Sequence, residues 1–354
     1  MAAIDAIARE TVQTGQTAGL VVGVSVNGSP VFVRSYGVAD IEHNVPVTDR
    51  SVFRIGSLTK QFTAAAILLL AEDGRLSLDD PLSTFFPDFP RGSEVTVREL
   101  LRHTGGIRSY TEVSDYFPTL GRQNMTTEQM VSYISNLDNL YDFEPGTSYH
   151  YSNSGYYLLG AIIEKVSGQS YPAFLKARIF DPLGLRNTAV DDTVEIVADR
   201  ANGYAPVRDR PGAFTNASYI AMSAAGAAGA MRSTAEDLLT WANALLGGRV
   251  LRPESLAAMV EPGRLRSGQL SSTAMAAGPS WQTVFDYGFG LALRRDEAGR
   301  QMIGHNGAIN GFHTYSQNFP DQHVSIVLLA NADGISAFEA GPRVARAFFD
   351  NQGR

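Results

Sequence analysis

The chain of 354 residues has no cysteine, and only Lys60, Lys165 and Lys176 are lysine. The first absence excludes disulfides, thiol catalysis and thiolate metal sites, while leaving the redox compartment open. The second makes each lysine worth explaining, because arginine supplies nearly all the positive charge. A basic stripe is missing too. The net charge is −7 and the basic residues are scattered, so nucleic acid is not an expected partner. Long apolar runs are also lacking: AAAILLLA (64–71) is about half the length that a bilayer-spanning helix requires. No membrane span is expected, and the chain reads as soluble. Its start, MAAIDAIARETVQ, lacks a basic n-region and an apolar h-region and reads as an amphipathic helix. The sequence as it stands points to the cytoplasm, or to the periplasm or exterior if a signal peptide has been removed. No serine sits in Gly-x-Ser-x-Gly and no His-Glu-x-x-His occurs, which argues against an α/β-hydrolase and a zincin. No metal and no cofactor is expected.

What is present is a composition 44% hydrophobic and 18% charged, enough for one large or two interlocked domains. GLVVGVSV (19–26), Asn27-Gly28 and VFVRS (31–35) predict a β-hairpin, since Asn-Gly supplies the positive φ angles of a type I′ turn. FHTYSQNF (312–319), PDQH (320–323) and VSIVLLAN (324–331) repeat the strand-turn-strand pattern. Between the ends the signals are mainly helical: TEQMVSYISNL after Thr126, GYYLLGAIIEKVSG from Gly155, YPAFLKARIF from Tyr171 and TAEDLLTWANALLGG from Thr234. Thr234 and Asp237 resemble a capping pair, and Gly247 or Gly248 suits the stop. The fold class expected is therefore α/β (α+β), an antiparallel sheet built from both chain ends and flanked by helices, with an inserted, mainly helical domain. Its division is 1–75 with 220–354 for the sheet domain and 76–219 for the helical one. The small-residue run IAMSAAGAAGAM (220–231) suggests close backbone packing.

The chemistry begins at RIGSLTK (54–60). In a helix starting near Ser57, positions three apart share a face, so the Ser57 hydroxyl and the Lys60 amine can meet. A serine hydroxyl needs a base beside it, and a lysine serves once burial favours its neutral form. Arginine could not substitute, because its guanidinium stays charged. Ser-x-x-Lys is a loose pattern, and two further stretches carry the argument. In HYSNSGYYLLG, Tyr151 near a lysine cation can be held as, or readily become, a phenolate that relays protons, while Asn153 can offer its amide to a substrate carbonyl. In IGHNGAINGFHTY, His305-Asn306-Gly307 runs into a strand expected at the sheet edge. Gly307 would let a substrate approach the backbone, and the Ala308 N–H could join that of Ser57 in an oxyanion hole. Taken singly, a capping asparagine, a loop tyrosine or a pairing strand histidine would account for either stretch.

Together and in order, Ser57-x-x-Lys60, Tyr151-x-Asn153 and His305-x-Gly307 resemble the three active-site motifs of the serine β-lactamase and penicillin-binding protein superfamily. The likeness runs along most of the chain. LLRHTGGIRSY (100–110), FEPGTSYHYSNSGYYLLGAIIEKVSG (143–168) and DPLGLRNT (181–188) look like its branch of class C β-lactamases, D-aminopeptidases, DD-carboxypeptidases and family VIII esterases. The resemblance implies a β-lactamase/transpeptidase-like fold with the site between the sheet and the helical domain. It also implies Ser57 as the acylated nucleophile, Lys60 and Tyr151 sharing the proton work, and Asn153 orienting substrate. One departure is His305 where typical β-lactamases carry the lysine of Lys-Thr-Gly, a variant resembling peptidases and esterases of the group. An imidazole is mostly neutral near pH 7, which weakens a fixed cation for a β-lactam carboxylate. The Glu-bearing loop of class A enzymes is not found, so deacylation falls to Tyr151 or Lys60. Arg294, ahead of the third motif, could hold a substrate carboxylate as a bidentate pair. The expected function is a serine hydrolase acting on esters, D-amino-acid amides or short D-peptides, a small-molecule partner in each case. The alternatives are a class C type β-lactamase or a non-catalytic penicillin-binding member. Oligomeric state is left open.

Overall fold

The computed structural model describes residues 1–275, 285–334 and 336–352. Asn27 (φ 50°) and Gly28 (φ 78°) make the tight turn that Asn-Gly predicts, and Gly19–Val26 pairs antiparallel with Ser29–Asp40. Phe312–Phe319 and Val324–Ala330 form the second hairpin, turning through His323 in the left-handed region (φ 53°). Val22↔Leu328 and its neighbours then join the two chain ends in one register. The resulting eight-stranded sheet runs Val45–Pro46, Ser29–Asp40, Gly19–Val26, Val324–Ala330, Phe312–Phe319, Gln301–Ile309, Ala292–Arg295, Asp286–Tyr287. Its neighbouring strands are antiparallel throughout.

Side chains alternate across this sheet, as a period of two requires. Leu20, Val22, Val24, Ile326 and Leu328 cluster with Ile4 and Ala8 of the Ala2–Gln13 helix and with Ala337, Val344 and Phe348 of the Ser336–Gln352 helix. Val21, Val327 and Leu329 face the other way, into the larger core with Leu238, Leu239 and Trp241 of the Ala235–Leu246 helix. Thr234 caps that helix by accepting the Asp237 N–H, but the Asp237 carboxylate turns away, to the Asn187 N–H and the Thr188 hydroxyl. The capping exchange is one-sided because a buried carboxylate finds two donors outside its own helix.

Thr59–Glu72 is the central helix. Every residue from Thr59 to Leu70 is buried, the pattern of a helix covered on all sides rather than on one stripe. On one side lies the Asn153–Ser167 helix. On another lies Met222–Gly229, drawn from the small-residue run. Close approach there is literal: a β-carbon on Gly160 would stand 2.4 Å from the Ala227 Cβ. The carbonyls of Ala227 and Ala228 consequently reach side chains of the central helix. Among the described residues no helix is long and apolar enough to cross a membrane.

Candidate active site

Ser57 stands on a short 3-10 turn, Gly56–Leu58, that leads into the central helix. Gly56 adopts φ +52° with its Cα against the main chain of Ala308, where a β-carbon would come within 2.7 to 2.8 Å of that residue's backbone. Gly307 makes the matching concession, since its β-carbon would meet the Ile55 carbonyl at 2.0 Å. The glycine of the third motif thus admits the chain that carries the serine, rather than merely leaving room for a ligand.

The third motif lies on the Gln301–Ile309 strand, which is inside the sheet and not at its edge. It nevertheless has a half-open flank. The next strand is four residues long and pairs only as far as Ala292↔Gly304, so among the described residues no strand pairs with 305–309 on that side. Asn310-Gly311 closes a two-residue hairpin with Ile309↔Phe312 as its last pair. Alternation from that pair turns the Ala308 N–H away from the hairpin partner, toward the turn bearing Ser57. The Ser57 N–H lies in the first turn, where helical geometry supplies no acceptor. Two backbone donors therefore adjoin beside the hydroxyl.

Lys60 is wholly buried, with its Nζ 3.1 Å from Ser57 Oγ, 2.8 Å from Asn153 Oδ1 and 2.7 Å from the Ala228 carbonyl. Burial pushes its pKa well below the ordinary lysine value. The two carbonyl oxygens can only accept, so both take N–H groups of the amine, and in its neutral form the lone pair is left to face the serine hydroxyl. Asn153 is fixed from both ends, its Nδ2 donating to Thr111 Oγ1 at 2.9 Å and its N–H to Ser109 Oγ at 3.1 Å. It begins the Asn153–Ser167 helix, capped by Ser152, whose hydroxyl accepts the Gly155 N–H.

Tyr151 packs its ring 4.7 Å from Lys60 Nζ and hydrogen-bonds the Ser57 hydroxyl. Burial raises its pKa and the bond to Ser57 lowers it less, so the resting group is a phenol. The sequence reading, in which a lysine cation favours a phenolate, is revised for a physical reason: the burial that holds Tyr151 as the phenol also disfavours the cation on Lys60.

His305 is 7% exposed, and burial, with Lys60 nearby, brings its pKa down to about 3. Its Nδ1 lies 2.5 Å from the Asn306 carbonyl and its Nε2 3.0 Å from the Tyr287 hydroxyl. A carbonyl only accepts, so Nδ1 carries the proton and the phenol donates to Nε2. Arg294 stands on the neighbouring strand with its guanidinium 4.2 Å over the Phe285 ring. It has no ion-pair partner among the described residues, and burial lowers its pKa.

In front of Ser57 opens a cleft of 720 Å³, lined by Asn153 and Ala308 and also by Arg108, Glu112, Phe117 and Asp333. Its described lining includes neither His305 nor Arg294. The structure thus brings Ser57, Lys60, Tyr151, Asn153 and Ala308 together, sets His305 behind them against Tyr287, and places Arg294 farther along the sheet. Sequence reasoning missed the Ala228 carbonyl, which carries no side-chain signature, and Glu112, whose only signal is its place in the resembling stretch after LLRHTGGIRSY.

Residues 4–348 match the model of the family described as Beta-lactamase. Penicillin-binding protein 4* of Bacillus subtilis (strain 168) is 29% identical over 88% of this chain, which spans 68% of that protein. The chain spans 53% to 62% of further curated relatives. Among solved structures, D-amino acid amidase from Ochrobactrum anthropi SV3, complexed with L-phenylalanine amide, superposes with a TM-score of 0.85 at 29% identity, covering 99% of both chains. A D-stereospecific amidohydrolase from Streptomyces sp. gives 0.78 at 31% identity over 94% of both. The chain belongs to the Beta-lactamase family, within the superfamily of serine hydrolases that includes the penicillin-binding proteins.

Proposed function

We propose that the protein hydrolyses D-amino-acid amides and short D-peptides, with small esters as further substrates, through an acyl-Ser57 intermediate. The observation that carries this is the buried amine of Lys60, 3.1 Å from Ser57 Oγ and held by two acceptor-only carbonyls. Lys60 takes the hydroxyl proton as Ser57 attacks the substrate carbonyl, and the N–H groups of Ser57 and Ala308 receive the developing oxyanion. Tyr151 hands a proton to the leaving amine or alcohol, and the C–N or C–O bond breaks. In the second half water adds to the ester carbonyl, its proton passing to the phenolate that Tyr151 became on protonating the leaving group, and Ser57 recovers its own proton from Lys60 as the acid leaves. Asn153 orients the substrate carbonyl.

Two points favour amides of amino acids. Glu112 puts a carboxylate on the wall of the Ser57 cleft, where a substrate ammonium can be met. The likeness to a D-amino acid amidase and a D-stereospecific amidohydrolase covers nearly the whole chain. Arg294, a cation without an ion-pair partner among the described residues, is proposed as the group that meets a peptide's terminal carboxylate. The test is to treat the protein with a fluorophosphonate and map the adduct by mass spectrometry, alongside turnover of D-alanine amide, L-alanine amide and p-nitrophenyl butyrate. The expected result is an adduct on Ser57 and faster turnover of the D-amide than of the L-amide. An adduct on another serine, or none on active protein, would falsify the assignment.

A further inference from the structure

His103 occupies a position that asks for a different residue. The Val97–Leu101 helix, opened by a capping box of Thr96 and Glu99, stops at Arg102, and the next residue turns into the left-handed region with φ +58°. That position usually falls to glycine, because a β-carbon is strained there. A histidine retained in such a conformation, and buried to 2% exposure, needs contacts that offset the strain. Its contacts converge on one residue. The His103 carbonyl accepts the N–H of His150 at 3.1 Å, and its ring Nδ1 accepts the N–H of Ser152 at 3.1 Å. Between those two lies Tyr151, whose ring stacks on the imidazole with centroids 4.3 Å apart and planes inclined by 36°.

Because Nδ1 faces an N–H, it must be the unprotonated nitrogen, and Nε2 carries the hydrogen. That N–H has no hydrogen-bond partner among the described residues and sits among the rings of Tyr149, Tyr156 and Tyr287, with centroids 6.0, 5.0 and 4.8 Å away. His103 therefore holds Tyr151 by its two flanking main-chain groups and by the face of its imidazole, and it is not among the residues that line the cleft.

We propose that His103 is a positioning residue that fixes Tyr151 for proton transfer, a role resting on the reading of Tyr151 as the group that protonates the leaving group. Misplacing a reacting group by about an ångström costs up to about a hundredfold in rate, so the effect belongs in kcat rather than KM. The informative variants are His103→Phe, which keeps a ring but loses the acceptor for the Ser152 N–H, and His103→Asn, whose Oδ1 stands where Nδ1 stood and which tolerates positive φ. Both are made in the wild-type and Tyr151→Phe backgrounds and assayed on D-alanine amide and p-nitrophenyl butyrate.

His103→Phe is expected to lower kcat by about tenfold or more with KM changed by less than about threefold, and His103→Asn to recover most of the loss. In the Tyr151→Phe background the same change is expected to cost less than about twofold, because what it positions is gone. A loss of equal size in both backgrounds makes His103 merely structural and overturns the proposal, as does Asn doing no better than Phe. If His103→Phe does not fold, His103→Gln replaces it, since its amide is one bond too far from Cα to reproduce Nδ1, and Asn must then exceed Gln. Unchanged turnover in Tyr151→Phe alone removes the reading of Tyr151 and the proposal with it, which separates that failure from a failure of the clamp only.

Discussion

His305→Gln should make the protein less sensitive to acid, and the size of the effect follows from the environment of the imidazole. His305 is buried, donates from Nδ1 to the Asn306 carbonyl and accepts at Nε2 from Tyr287, so the folded protein has no place for a second ring proton. Its pKa falls from 6.5 in the unfolded chain to about 3 in the folded one. Between those values the unfolded state binds the proton and the native state does not, so stability is complete above pH 6.5 and drains away as pH falls toward 3. At ~1.4 kcal/mol per unit the wild type should lose ~2 kcal/mol between pH 6.5 and pH 5, and ~5 kcal/mol by pH 3, from this residue alone. A neutral glutamine can still accept the Tyr287 hydroxyl bond and carries no such penalty. The measurement is urea unfolding of both proteins at pH 7.5, 6, 5 and 4.5. His313, whose pKa burial lowers to about 4, titrates in the same direction but identically in both proteins, so the difference isolates position 305. Parallel stability curves would show that His305 takes up its proton equally in the folded and unfolded states, and the depressed pKa invoked for this site would be wrong.

The proton carriers give two further expectations. Lys60→Ala should reduce kcat/KM by roughly 10²–10⁴, the range for a lost general base, measured on p-nitrophenyl butyrate; retained turnover would point to another base. Tyr151→Phe, which keeps the ring against His103, should cost roughly a hundredfold in kcat with little change in thermal midpoint; near-wild-type turnover would leave Lys60 acting alone. The last expectation concerns substrate class: with an uncharged imidazole in place of the lysine cation, penicillins should acylate Ser57 and leave slowly, while amides and esters turn over. Stopped-flow and steady-state assays with nitrocefin test this, and hydrolysis of nitrocefin exceeding D-alanine amide by orders of magnitude would return the protein to the β-lactamases.

What the sequence revealed, and what it did not, divides along a physical line between side-chain pattern and backbone geometry. The hairpins were readable because Asn27-Gly28 demands positive φ and because alternating runs define strand faces. The pairing of Ser57 with Lys60 was readable because a three-residue spacing on a helix puts two side chains side by side, and the observed 3-10 turn preserves that contact. The lowered pKa of Lys60 was only half readable. Burial could be guessed from the apolar run after it, but the acceptors that consume its two N–H groups are the Asn153 amide oxygen and the Ala228 carbonyl, 93 and 168 residues away. A main-chain carbonyl leaves no residue type to read, and IAMSAAGAAGAM announces only that something will come close. The same limit explains the third motif. The spacing His305-x-Gly307 marked the segment, but whether its strand lay at an edge depended on where its neighbour ended, and a strand that pairs no farther than Gly304 cannot be seen before the sheet is assembled. That short neighbour is what frees the Ala308 N–H to face Ser57. In this fold the reactive side chains are therefore written locally, while the groups that set their protonation and receive the oxyanion come from backbone that only long-range packing delivers. A substitution that disturbs Gly56, Gly307 or Gly160 should accordingly damage catalysis without touching a single reacting side chain.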